Sequence, residues 1–150
     1  MQFDLTEPVA APADVTMACV ADLDALLAGL SSGRMTIAPT PGAADRWRVL
    51  ADLAGKTRRG EVWVHGRVPG QGYCIGGALD SLLLDGAVHV GAGRAAGHSD
   101  LRVTLRLSAG SIKGRVMLSG LYMMQDAIAD RLSHRLARLA RHIEETAAAG

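Results

Sequence analysis

Apolar and polar residues alternate with a period of two at the start of the chain, where Phe3 and Leu5 point one way and Asp4 and Thr6 the other. That period predicts a strand over residues 2–10, ended by Pro8 or Pro12. Pro12 suits the first turn of a helix, and Asp14 complements the positive end of its dipole. Val15, Ala18 and Cys19 form a short apolar stripe on that helix. Asp22 reads as a second N-cap, followed by Leu23, Leu26, Leu27 and Leu30 at helical spacing, and Ser31-Ser32-Gly33 closes the pair of helices.

From Arg34 to Leu107 the signals are strands and turns. Met35 and Ile37 begin a short strand that Pro39-Thr40-Pro41-Gly42 stops. Trp47, Val49, Ala51 and Leu53 share one face of the next strand, opposite Arg48 and Asp52, and Gly55-Lys56 turns the chain. Val62, Val64 and Val68 then alternate with Glu61, Trp63, His65 and Arg67 up to a turn at Pro69-Gly70. Tyr73, Ile75 and Leu79 alternate with Cys74 and Asp80. Asp85-Gly86 has the composition of a hairpin turn. Val88 and Val90 follow, and that strand dissolves at Gly91-Ala92-Gly93. In the last strand Leu101, Val103, Leu105 and Leu107 point inward and Arg102, Thr104 and Arg106 outward. Short sequential strands with tight turns and no intervening helices predict an antiparallel meander. Glycines within it, at Gly76, Gly77 and Gly91, suit a sheet that bends sharply.

After Gly110 the period lengthens. Leu121, Met124, Ile128, Leu132, Leu136, Leu139 and Ile143 recur at steps of three and four, one stripe on a continuous helix from about Leu118. About 30 helical residues run roughly 45 Å, so the stripe needs a large partner, and the apolar face of the sheet is the candidate. The end of the chain, 146–150, is expected to fray. The 150 residues predict one α+β domain, a curved antiparallel sheet of about seven strands around a long C-terminal helix with two short helices after the first strand.

Composition narrows the function. Apolar residues make up 49 % of the chain, enough for a sizeable core, and 16 basic against 15 acidic residues leave a net charge of +1. Nucleic acid is therefore not an expected partner. Cys19 and Cys74 sit in no metal-ligand pattern, so no metal and no cofactor is expected, and two free thiols fit a reducing cytoplasm. The acidic, alternating start is unlike a secretory signal, and no apolar run approaches the roughly 18 residues of a membrane span. A soluble, cytoplasmic protein is the expectation.

Several segments carry a family likeness. Val9-Ala10-Ala11-Pro12-Ala13-Asp14-Val15 resembles a first strand leading into a proline-started helix, and Asp22-Leu23-Asp24-Ala25-Leu26 a second-helix entry. Trp47-Arg48-Val49 takes the place of a central strand, Asp100-Leu101-Arg102-Val103-Thr104-Leu105 that of the last strand, and Lys113-Gly114-Arg115 precedes the terminal helix. With the order of elements, these resemble the helix-grip fold of the SRPBCC or START-like superfamily, in its bacterial polyketide cyclase-like branch. Ser31-Ser32-Gly33 departs from it, standing where many relatives have a Pro-Gly pair. The resemblance implies a cavity for a hydrophobic or amphipathic molecule and does not by itself imply a reaction.

A sheet gripping a helix leaves space wherever their side chains do not meet. The candidate lining is Trp47, Tyr73 and Ile75 from the sheet and Leu121, Met124 and Ile128 from the helix, set against the plainer reading of all six as packed core. The Tyr73 hydroxyl is a candidate to orient a polar ligand end. His65 and His89 are the obvious acid/base residues, but parity puts both opposite the inward valines. Trp63, His65 and Arg67 form a row on that outer face as a small site or partner surface. Asp80 and Asp85 read as solvated turn residues. On the terminal helix Arg131, Arg135, Arg138 and His142 form a basic stripe, either a solvated face or a contact for a membrane surface or protein partner. The leading expectation is a non-catalytic binder of a lipid-like or aromatic molecule. A polyketide cyclase or aromatase and a protein- or membrane-interaction domain are the alternatives.

Overall fold

The computed structural model describes residues 1–29, 31, 33–53 and 55–150. The chain runs β1 (Gln2–Val9), α1 (Ala13–Ala21), α2 (Leu23–Ala28), β2 (Met35–Pro39), β3 (Arg46–Leu53), β4 (Lys56–Val68), β5 (Gly72–Leu79), β6 (Leu82–Ala92), β7 (Ser99–Ala109), α3 (Ile112–Tyr122) and α4 (Gln125–Ala149). The seven strands form one antiparallel sheet in the order β1-β7-β6-β5-β4-β3-β2. This is the curved sheet, early helix pair and long C-terminal helix that the pattern predicts. The strand holding Trp47-Arg48-Val49 lies one in from the β2 edge, not at the centre of the sheet.

Alternation fixes the two faces. Phe3, Val9, Trp47, Val49, Val64, Tyr73, Val88, Val90 and Leu101 are buried on the concave side, where α4 adds Leu136, Ala140 and Ile143. Val9, Leu101 and Ile143 are fully buried, and burying such a side chain is worth about 1.5–3 kcal/mol. At the α1 end two hydroxyls replace apolar packing. Ser99 donates to the Ala11 carbonyl at 2.8 Å and lies 2.8 Å from the Thr16 hydroxyl, all within the core. A serine has one proton to give, so Thr16 is the donor in that pair.

Local chemistry departs from the pattern in several places. α1 buries Thr16 and Val20, leaving Val15 and Cys19 half-buried and Ala18 exposed. Pro12 is its N-cap, one residue before the first turn. Asp22 caps α2 as predicted, accepting from the Ala25 amide, but α2 ends at Ala28, ahead of Ser31-Ser32-Gly33. Leu30 and Ser32 lie outside the described residues. The β5–β6 hairpin turns at Asp80 and Ser81, with Asp80 at φ 54, whereas Asp85 and Gly86 are paired mid-strand. A bulge between His65 and Val68, with Gly66 at φ 60, turns Val68 out to 48 % exposure. It also takes Arg67 out of the row with Trp63 and His65.

The greatest departure is in the terminal helix, which is two helices. α3 ends at Tyr122 and α4 starts at Gln125, with Met124 at φ −108, ψ 11 between them. The Met124 amide donates to Leu121, three residues back, at 2.9 Å, a tighter turn than the α-helical four. Lys113-Gly114-Arg115 forms the first turn of α3, behind a Ser111 N-cap. At the other end α4 continues to Ala149 instead of fraying from Thr146, in keeping with the helix propensity of its alanines.

Candidate functional site

The concave face is smallest where the sheet bends. Gly77 and Gly86 put no side chain on its floor, and a β-carbon at Gly86 would come within 3.0 Å of Leu105 Cδ2. Around them Val62, Ile75, Leu84, Val103 and Leu105 line the inner face, yet all five are only half-buried. The helices explain this. α4 packs on β1 and α1, and α3 packs on β7 and β6. Neither makes an extended contact with β3, β4 or β5 among the described residues. Leu136, Ala140 and Ile143 seat the C-terminal half of α4, whereas Leu121 and Ile128, either side of the break, remain half-buried. The helices thus cover the apolar inner face over the central strands only in part, leaving a shallow trough bordered by the elements that α3 and α4 pack on.

The six predicted lining residues divide into three groups. Ile75, Leu121 and Ile128 are each half-buried. Trp47 and Tyr73 are 5 % and 3 % exposed, and each polar group is already bonded. Trp47 Nε1 donates to Asp24 of α2 at 2.9 Å, and the Tyr73 hydroxyl donates to the Val20 carbonyl of α1 at 2.8 Å. Met124 is 53 % exposed at the break. Burial pushes the Tyr73 phenol up to about 12, against a smaller opposing effect of Arg67, whose guanidinium lies 5.8 Å from the ring centroid. Tyr73 therefore stays protonated at neutral pH.

One charged group on the inner side escaped the sequence reading. Arg58 is 8 % exposed, donates Nε to the Leu53 carbonyl at 3.2 Å and pairs through Nη1 with Asp80 at 2.5 Å. Lys113 of α3 reaches the same carboxylate at 3.0 Å. Hydrogen bonds from Lys113 and then Arg58 hold the Asp80 carboxyl below its usual range. Asp80 is thus no idle turn residue but a tie between β4, the β5–β6 turn and α3. Only the parity of Arg58 with Val62 and Val64 could have flagged it.

The outer face carries the remaining candidates. His65 and His89 are exposed there. Trp63 lies over Gly76, with Arg46 5.4 Å from its ring centroid. Arg67, turned off this face by the bulge, forks onto Asp45, lowering that carboxyl. Two open grooves lie outside the trough. One of about 530 Å³ follows the twist of β2–β4 past Arg48, Leu50 and Arg59. One of about 470 Å³ runs between α1 and the β4–β5 hairpin past Met17, Ala21 and Val68. Among the described residues no cluster of His, Cys, Asp or Glu could hold a metal ion, and no helix is long and apolar enough to cross a membrane. The basic row of Arg131, Arg135, Arg138 and His142 is exposed.

A bent seven-stranded sheet closed by a long C-terminal helix is the helix-grip fold, and the chain has that START-like fold. It is similar over 100 % of its length to 99 % of Ara h 8.0201, with a TM-score of 0.60 and 16 % identity. It matches the Zhui aromatase/cyclase from Streptomyces sp. R1128 over 94 % of this chain and 93 % of that one, with a TM-score of 0.61 and 16 % identity. A START superfamily protein from Mycobacterium smegmatis is similar over 89 % of this chain and 97 % of its own, with a TM-score of 0.53 and 14 % identity. No family model and no curated protein matches the sequence.

Proposed function

We propose that residues 1–150 act as one unit that holds a hydrophobic or amphipathic small molecule, lipid-like or aromatic, in the trough beneath α3 and α4, without chemically altering it. The observation that carries this reading is the incompletely buried inner face formed by Val62, Ile75, Leu84, Val103 and Leu105. Interiors normally close-pack such residues, so a surface left open on the concave side is one that an apolar guest completes. Affinity follows from removing that surface from water, about 25 cal/mol per Å² before the costs of binding. Ile75, Leu121 and Ile128 are the proposed contacts, Trp47 and Tyr73 brace the floor beneath them, and Met124 flanks the entrance at the helix break.

The case against chemistry rests on where the titratable groups stand. His65 and His89 are on the outer face, Tyr73 is bonded and protonated, and Arg58 is bonded to Asp80. The likeness to an aromatase/cyclase favours cyclase chemistry as a second reading, which requires a titratable side chain reaching the guest. A cytoplasmic location is part of the proposal, supported by the free thiols of Cys19 and Cys74. Native mass spectrometry of the purified protein tests the main reading. We expect an apolar compound bound at one per chain, and Ile75→Trp to fill the trough and abolish its retention. A protein that stays empty and takes up no apolar fluorophore would refute it, and turnover of a bound polyketide chain would establish the second reading.

A further inference from the structure

The outer side of α3 is apolar although nothing among the described residues covers it. Ile112 is 80 % exposed, Val116 70 % and Met123 90 %, the highest exposures among the large exposed hydrophobics of the described residues. At 100° per residue they lie, with Ser119, within an arc of about 60°. The inner side of the same helix is the one the fold uses. Gly114 sits against the Ser81 carbonyl, and Met117, Leu118 and Leu121 are half-buried. Arg115 flanks the outer ridge on one side and Lys113, paired with Asp80 at 3.0 Å, on the other, and α3 contains no acidic residue. Tyr122 is outside the ridge, its hydroxyl accepting from the Met1 amino group at 2.9 Å.

From this we infer that α3 docks the protein on an anionic lipid surface, inserting Ile112, Val116 and Met123 between headgroups while Arg115 binds a phosphate. Aliphatic side chains on a convex ridge, bordered by cations, match the interface-seeking pattern. A second copy is a poorer occupant. A two-fold contact over this ridge would set Arg115 against its own equivalent, with no carboxylate on α3 to offset it. A protein partner usually meets aromatic or arginine anchors in a pocket, and the ridge offers aliphatic side chains on a convex surface. The inference does not depend on what the trough holds. It assigns the membrane contact to α3 rather than to the arginine row of α4.

Co-sedimentation with vesicles tests it, comparing phosphatidylcholine alone with phosphatidylcholine mixed with phosphatidylglycerol. The full chain is expected to bind the mixed vesicles, to ignore the neutral ones and to be released by salt. Val116→Asp should lower binding about tenfold with an unchanged circular dichroism spectrum, and Met123→Asp, at the helix end, repeats the test should the first variant fold poorly. Failure to bind the mixed vesicles overturns the inference, as does binding that both variants leave intact. So does a concentration-dependent dimer that Val116→Asp dissolves, or an acidic protein partner captured through α3 by a chain that ignores lipid.

Discussion

The Tyr73 hydroxyl donates to the Val20 carbonyl across 2.8 Å, tying the central strand of the sheet to α1 where both are buried. The bond fixes what this phenol can do, since its one proton is already given inside the core and only its lone pairs are left to accept from a guest. Tyr73→Phe removes the donor, keeps the ring and leaves the carbonyl unpaired. We expect a loss of about 1 kcal/mol of stability in urea unfolding, with little change in retention of an apolar ligand.

The same tyrosine gives a pH dependence. Its pKa rises on folding from 10.0 to about 12 because burial disfavours the phenolate. Between those values the unfolded chain has released the proton and the folded chain keeps it, so stability falls as pH rises through that window. The contribution is present below pH 10 and amounts to about 2–3 kcal/mol. Unfolding midpoints across this range should fall less steeply for Tyr73→Phe than for the unaltered protein, and parallel curves would count against the burial argument.

Thr16, Ser99 and the Ala11 carbonyl make a directed chain in which each proton has one destination. Ser99→Ala strands both the Thr16 hydroxyl and the carbonyl, and should cost about 2–3 kcal/mol. Thr16→Val keeps the shape and leaves Ser99 bonded to Ala11, so about 1 kcal/mol is expected. Chemical denaturation of the two variants would show this order, and equal losses would mean that the Ser99–Ala11 bond adds nothing.

These hydroxyls also show where the sequence stops being legible. Strand alternation around Trp47, Val64 and Leu101 reveals the sheet and its faces, because period two reports burial directly. Thr16 is hidden from that reasoning, since its burial depends on Ser99, 83 residues away. Asp85-Gly86 misleads for a related reason. Gly86 is needed for its missing side chain beside Leu105, while the turn falls on Asp80, which tolerates its φ of 54. The helix break is invisible because neither proline nor glycine marks Met123-Met124 and the apolar steps of three and four run through it. As for the proposed site, periodicity supplies the faces of Ile75, Leu121 and Ile128, whereas the bonds occupying Trp47 and Tyr73 involve partners on α2 and α1 that periodicity cannot supply.

Asp80 answers two cations at once, the buried Arg58 and the exposed Lys113. Asp80→Asn tolerates the same backbone conformation while removing the charge, leaving Arg58 buried without a counter-ion. We expect it to be more destabilising than the double change Arg58→Met with Asp80→Asn, in which neither charge remains to be buried alone. The carboxyl's lowered pKa adds a sign. Its contribution is present above the ordinary value of 3.8 and is lost as acid protonates the folded carboxylate below it. Acid titration of the double variant should lack this component.

Two glycines on α3 separate helix propensity from packing. A β-carbon at Gly114 would lie 2.3 Å from the Ser81 carbonyl oxygen, whereas one at Gly120 meets nothing within 4 Å. Alanine is favoured over glycine in a helix by about 1 kcal/mol, so Gly120→Ala should stabilise the protein by up to that amount. At Gly114 the clash with backbone outweighs the gain, since overpacking costs about 1–3 kcal/mol and a carbonyl cannot rotate away as a side chain can. Gly114→Ala should therefore lower the thermal midpoint and speed hydrogen exchange of the α3 amides. In the proposed binding mode α3 covers the guest and is held by this anchor and by Lys113 on Asp80, so the loosened helix should also release a bound apolar molecule faster than the Gly120→Ala protein does. Equal release rates would place the roof's anchorage at the Tyr122 end instead.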